Sequence, residues 1–136
     1  MLDGFKFHHI GVAVNDIDAT ASLYLSAGYE RTDTVYDPVQ NVYICFLTKE
    51  GMPMLELVSP YDESSPIFET LRKNGVTPYH ICYEVWDLDE TVKKLRKIRY
   101  VATTVPVPAV AFGGCKVCFL YHKKVGLIEL VESKKE

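Results

Sequence analysis

From Phe5 to Val14 apolar residues alternate with small or polar ones: Ile10, Val12 and Val14 fall on one face, and His9, Gly11 and Ala13 on the other. Period-two alternation predicts a β-strand with one face in a core. Asn15-Asp16 then offers an N-cap, and a helix is expected from Ile17 to Ala27, ended by Gly28. Strands are expected over Tyr29–Tyr36, Asn41–Thr48 and Met54–Ser59, with Asp37-Pro38 and Gly51–Pro53 as the intervening turns. In the last of these, Met54, Glu56 and Val58 share a face. The connector that follows contains Ser65-Pro66, which reads as a helix start with proline in the first turn, and a short helix over Ile67–Asn74 closed by Gly75.

The plan then repeats. Tyr79–Val85 alternates with His80, Cys82 and Glu84 on one face, and Asp87 caps a helix expected to run to Arg99 with Leu88, Val92, Leu95 and Ile98 as its buried stripe. Strands are expected over Val101–Val107, Cys115–Tyr121 and Gly126–Glu132, a proline-broken loop runs to Gly113-Gly114, and Lys134–Glu136 reads as a frayed tail. The repetition is literal as well as architectural. His9, Ile10, Val14, Asp16, Asp18, Thr20 and Tyr29 recur without a gap as His80, Ile81, Val85, Asp87, Asp89, Thr91 and Tyr100. The chain therefore reads as two copies of one β-α-β-β-β module, each opening on a histidine. The expected architecture is α+β, a curved mixed sheet shared by both modules with the helices outside. We take residues 1–136 as one domain: module one about 5–60, connector about 61–78, module two about 79–133.

Composition narrows the class. A chain of 136 residues fills one core and is short for two independent ones. Net charge is −3 with acids and bases interspersed, which gives nucleic acid no basic face. No apolar run reaches the roughly 18 residues of a membrane span, and Met1-Leu2-Asp3-Gly4 has no signal-peptide character, so the expected compartment is the cytoplasm. Cys45, Cys82, Cys115 and Cys118 are read as reduced core residues. Cys115-Lys116-Val117-Cys118 has redox-motif spacing but lies in a strand, where residues three apart face opposite ways.

The chemistry lies in what the repeat duplicates. His9 and Glu56 of the first module are spaced almost as His80 and Glu129 of the second, in each case between the first strand and the last. Related by a pseudo-twofold, these would give two imidazoles and two carboxylates in one concave pocket, a donor set for Zn²⁺, Ni²⁺, Co²⁺, Mn²⁺ or Fe²⁺. Buried together without a cation, the carboxylates would repel, and one would take up a proton. Either glutamate could instead face solvent. His8 faces away from His9, and His122 lies in a basic turn with Lys123 and Lys124.

At His9-Ile10-Gly11-Val12-Ala13-Val14, Met54-Leu55-Glu56-Leu57-Val58-Ser59-Pro60, Ser65-Pro66-Ile67, His80-Ile81-Cys82-Tyr83-Glu84-Val85 and Gly126-Leu127-Ile128-Glu129-Leu130 the chain resembles the vicinal oxygen chelate (glyoxalase/bleomycin resistance/dioxygenase) superfamily. Within it, the methylmalonyl-CoA epimerases and the short clostridial-type glyoxalase I enzymes are most similar. The resemblance puts the metal-ligand positions on His9, Glu56, His80 and Glu129, and implies one divalent ion (Zn, Ni, Co or Mn). It also implies Glu129 and Glu56 as proton carriers, and a homodimer. The Glu56 position is glutamine in some epimerases. One carboxylate that some epimerases carry in the strand matching Val42–Leu47 is replaced here by Ile44. The implied activity is proton transfer α to a carbonyl, on an acyl-CoA (epimerase) or on a 2-oxoaldehyde–thiol adduct (glyoxalase I). An Fe²⁺ dioxygenase using His9, His80 and Glu129, and a non-catalytic ligand-binding or resistance protein, are the alternatives.

Overall fold

The computed structural model describes residues 4–134. The chain divides into two compact units: His9–Tyr79 is one, and the remaining described residues form the other. Three α-helices and ten strands are present among the described residues. The expected tail falls partly outside them.

In the first unit, the part of β1 (Lys6–Ala13) from His9 onward lies parallel to β5 (Leu55–Pro60), and β5 lies antiparallel to β4 (Val42–Thr48). β4 takes the short strands β2 (Glu30–Arg31) and β3 (Val35–Asp37) on its other edge. Helix α1 (Ile17–Ser26) crosses from β1, with Asp16 as its cap: one carboxylate oxygen accepts the Ala19 N–H at 3.0 Å. Ile17 and Ala21 of α1 pack on Val12, Val14, Cys45, Leu47 and Leu57, so the helix covers the apolar face that strand alternation marks out. His9, Phe46 and Glu56 lie on the opposite face.

The second unit repeats this arrangement. β6 (Thr77–Val85) lies parallel to β10 (Gly126–Glu132), β10 antiparallel to β9 (Lys116–His122), and β9 takes β7 (Val101–Ala102) and β8 (Val107–Pro108). Helix α3 (Leu88–Arg96) is capped by Asp87, and its Leu88, Val92 and Leu95 pack on Cys118, Leu120, Ile128 and Leu130. Both units are thus mixed sheets with a helix on one face, which is the α+β fold expected.

The structure corrects three boundaries. First, the single strands expected at Tyr29–Tyr36 and Val101–Val107 are each broken in two. In the first unit the Thr32 hydroxyl accepts the Phe46 N–H at 2.9 Å, and the Thr32 N–H donates to the Phe46 carbonyl. In the second the Thr104 hydroxyl accepts the Phe119 N–H at 3.0 Å, and the Thr103 N–H donates to the Phe119 carbonyl. A threonine side chain standing in for a ladder carbonyl interrupts regular pairing.

Second, α3 stops well before Arg99. Arg99 adopts φ 76°, the Tyr100 N–H returns to the Leu95 carbonyl, and Tyr100 enters the core in place of Ile98, which is 41% exposed. Third, Pro66 lies before α2 (Phe68–Asn74), not in its first turn. The Ser65 hydroxyl accepts the Tyr61 and Asp62 N–H groups and donates to the Asn41 carbonyl, which ties this turn to the β3–β4 loop. Among the described residues no helix is long and apolar enough to cross a membrane.

Candidate functional site

In the first unit the β-ladder does the positioning. Glu56 stands opposite Gly11 of β1 on one side and Phe46 of β4 on the other. His9 is two residues before Gly11 and shares its face. His9 Nε2 lies 3.2 Å from Glu56 Oε1, with the two residues 0% and 3% exposed.

The second unit reproduces this register. Glu129 stands opposite Cys82 of β6 and Phe119 of β9, and His80 is two residues before Cys82. His80 Nε2 lies 3.2 Å from Glu129 Oε1, again with both residues buried. In each unit the histidine thus stands beside a glutamate of the same module, and neither glutamate faces solvent.

Burying a carboxylate and an imidazole together is costly unless charge and hydrogen bonding are matched. Such a pair persists either with a proton shared between them or with both atoms turned to a common cation. The distance suits a cation: neighbouring donors on one ion with bonds of about 2.0–2.2 Å stand ~3.0–3.4 Å apart. Each of the four residues is buried and offers one donor atom, and imidazole nitrogen with carboxylate oxygen suits borderline divalent ions. The residues present fit a divalent metal.

Two participants escaped the sequence reading. The Phe46 ring meets His9 edge-on, with centroids 5.7 Å apart and planes at 70°; Phe119 meets His80 at 5.2 Å and 87°. The signal was available, since Cys45-Phe46-Leu47 and Cys118-Phe119-Leu120 occupy matching places in the two modules.

The remaining candidates have other occupations. His8 packs edge-on to Phe112, which itself lies against Cys82, Val117 and Val131. His122 is not simply solvated: its Nδ1 accepts the Lys124 N–H at 2.9 Å and its ring leans on Tyr100. Cys118 sits in the helix-side core while Cys115 packs with Cys82, Val117 and Val131 on the opposite face, so the two face away from each other. Burial pushes the Cys118 thiol up from its ordinary range, which suits an inert core thiol.

Known proteins are similar to this chain over most of its length. The chain is 31% identical over 131 residues to the ethylmalonyl-CoA/methylmalonyl-CoA epimerase of Cereibacter sphaeroides, covering 92% of this chain and 96% of that one. The crystal structure of methylmalonyl-CoA epimerase from Mycobacterium tuberculosis matches with a TM-score of 0.82 at 29% identity, over 96% of this chain and 89% of that one. A methylmalonyl-CoA epimerase in complex with methylmalonyl-CoA and NH4+ matches with a TM-score of 0.80 at 30% identity, over 95% and 94% of the two chains. Residues 8–119 match the model of a single family, and the chain belongs to it: the Glyoxalase/Bleomycin resistance protein/Dioxygenase superfamily.

Proposed function

We propose that this chain is a divalent-metal-dependent enzyme that moves a proton at the carbon α to the carbonyl of an acyl-CoA, as methylmalonyl-CoA epimerase does. The observation that carries the reading is the duplicated buried pair, His9 with Glu56 and His80 with Glu129, each at 3.2 Å and each at the same place in its β-ladder. Similarity to epimerases at about 30% identity over most of the chain supports the acyl-CoA class.

In this reading His9, Glu56, His80 and Glu129 together hold one ion, the two units forming one functional domain. Bound there, the ion supplies a Lewis acid that lowers the cost of negative charge on a substrate carbonyl oxygen. The glutamates move the proton. Glu129 and Glu56 would help to hold the ion, and either carboxylate could accept the α-proton. With one glutamate taking the α-proton and the other delivering a proton to the opposite face of the same carbon, the result would be epimerisation. The imidazoles would hold the ion and leave the proton traffic to the carboxylates. Buried apolar neighbours in each unit, Ile44 and Val58 in one and Val117 and Val131 in the other, exclude water that would otherwise quench the carbanionic state. The same reading makes the protein a cytoplasmic homodimer, the dimer to be checked by sedimentation.

The deciding experiment is metal-loaded protein in D2O with methylmalonyl-CoA. Deuterium entering the α-carbon, with inversion of configuration, is the expected result. Turnover of the hemithioacetal of methylglyoxal without that exchange would assign the chain to the glyoxalase branch and overturn the acyl-CoA reading.

A further inference from the structure

We infer that Phe46 and Phe119 are positioning residues for His9 and His80, fixing the imidazole planes so that Nε2 faces the paired glutamate; the inference rests on the metal reading above. An imidazole on a strand has a soft torsion about Cβ–Cγ, with broad wells in place of three sharp ones. Strand register places the ring near the glutamate but does not choose its plane. A neighbouring aromatic chooses it, because the ring quadrupole favours an edge-to-face approach over other orientations. Such contacts hold His9 at 70° to Phe46 and His80 at 87° to Phe119.

The phenylalanines are themselves held in place. Each stands directly opposite the glutamate of its pair in the antiparallel ladder, Phe46 opposite Glu56 and Phe119 opposite Glu129. Each has its main chain clamped from the far edge by threonine. The Phe46 N–H donates to the Thr32 hydroxyl and the Phe46 carbonyl accepts the Thr32 N–H; the Phe119 N–H donates to the Thr104 hydroxyl and its carbonyl accepts the Thr103 N–H. The preceding cysteine adds a second tie, Cys45 Sγ to the Thr32 carbonyl at 3.4 Å and Cys118 Sγ to the Thr104 carbonyl at 3.1 Å. A residue that only filled volume would need neither the same rung of the ladder nor a T-shaped contact with the histidine in both units. The recurring unit is therefore threonine clamp, phenylalanine, histidine and glutamate.

The test is Co²⁺ titration of the full chain, read by visible absorption, for wild type, Phe46→Leu, Phe119→Leu and the ring-keeping Phe46→Tyr and Phe119→Tyr. We expect each leucine variant to weaken Co²⁺ binding about 10-fold and to shift the visible band, as loss of groups that orient a ligand does. The tyrosine variants should restore both. Leu57→Ala, which truncates the helix-side core, serves as the structural control: it should lower Tm and leave the band in place. Should Phe46→Leu fail to fold, Phe46→Met keeps the volume without the ring and carries the same expectation.

Wild-type affinity and band in both leucine variants would overturn the inference, as would a band shift in Leu57→Ala equal to theirs. A wild-type chain that takes up no Co²⁺ defeats the metal reading instead. The positioning claim is then decided by imidazole ¹⁵N shifts in the metal-free chain: movement of His9 in Phe46→Leu and of His80 in Phe119→Leu supports it, and unchanged resonances overturn it.

Discussion

The two modules hold the same pair in the same register and finish the surroundings differently. In the first, buried Val42, Ile44 and Val58, all from strands, flank His9 and Glu56 on their face. In the second, Val117 and Val131 gain further cover from Ala109, with Val107, Phe112 and Cys115 packed against them. The helices differ too. α1 leaves Leu23 and Leu25 exposed, while α3 lines its outer side with Lys93, Lys94 and Arg96. α1 is followed by Gly28 at φ 93°, α3 by Arg99 at φ 76°, yet each of these is succeeded by a tyrosine whose N–H turns back to the helix. The two copies share the pair, the phenylalanine opposite each glutamate, the threonine clamp and the capping aspartate, while the residue on the other side of the glutamate differs, Gly11 in one and Cys82 in the other. The donor atoms and the ring beside them recur, and the packing around them varies.

That comparison breaks most sharply on chemistry. Glu129→Gln is expected to lower the rate of α-proton exchange by ~10²–10⁴-fold, the usual loss of a positioned proton carrier. Glu56→Gln should cost less, because an amide oxygen still ligates and glutamine stands there in some epimerases. Steady-state kinetics on the two variants would show whether the modules are chemically unequal; equal losses would make both glutamates obligatory carriers. Next in size is the core of the second module: Leu95→Ala should cost about 2–5 kcal/mol, whereas Ile98→Ala should stay within about 0.5 kcal/mol. Urea denaturation measures both, and a large effect at Ile98 would restore it to the buried stripe.

The helix caps come third. Asp16→Ala and Asp87→Ala should each cost about 1 kcal/mol. The loss at Asp87 should be the smaller, because the Leu88 N–H at that helix start already donates to Glu132. Equal losses in thermal denaturation would remove that distinction. The smallest effect is at the helix stops. Arg99→Gly should raise stability by up to about 1 kcal/mol by relieving a left-handed arginine, and Gly28→Ala should lower it by about the same amount. The Gly28 position has room for a methyl group, which would sit 3.5 Å from the Lys49 side chain, so strain rather than collision sets that cost.

Much of this was legible in the chain because period-two alternation and the repeat constrain each other. Alternation placed His9 and Glu56 on the face opposite Val12 and Leu57, and recurrence at His80 and Glu129 made the placement specific. What stayed hidden depends on single torsions. Thr32, Thr103 and Thr104 are good strand residues by propensity, and nothing local says that their hydroxyls will replace ladder carbonyls. Arg99 carries no sign of its positive φ, so Ile98 looked like the next residue of the stripe when Tyr100 was. Ser65-Pro66 has the composition of a helix start, but the serine hydroxyl serves Tyr61, Asp62 and Asn41, contacts set by tertiary structure. The repeat sets Phe46 and Phe119 in matching places, but their edge-on contact with a histidine is a property of the folded register.

The proposal that both pairs serve one ion is tested most directly by metal analysis of the purified full chain. Wild type loaded with Zn²⁺, Co²⁺ or Mn²⁺ and then desalted should retain about one equivalent per chain, the stoichiometry of a single four-donor site. His9→Ala and His80→Ala should each lose it, although the two histidines belong to different modules. No divalent metal under any loading condition, or a full equivalent retained by either variant, would contradict the account.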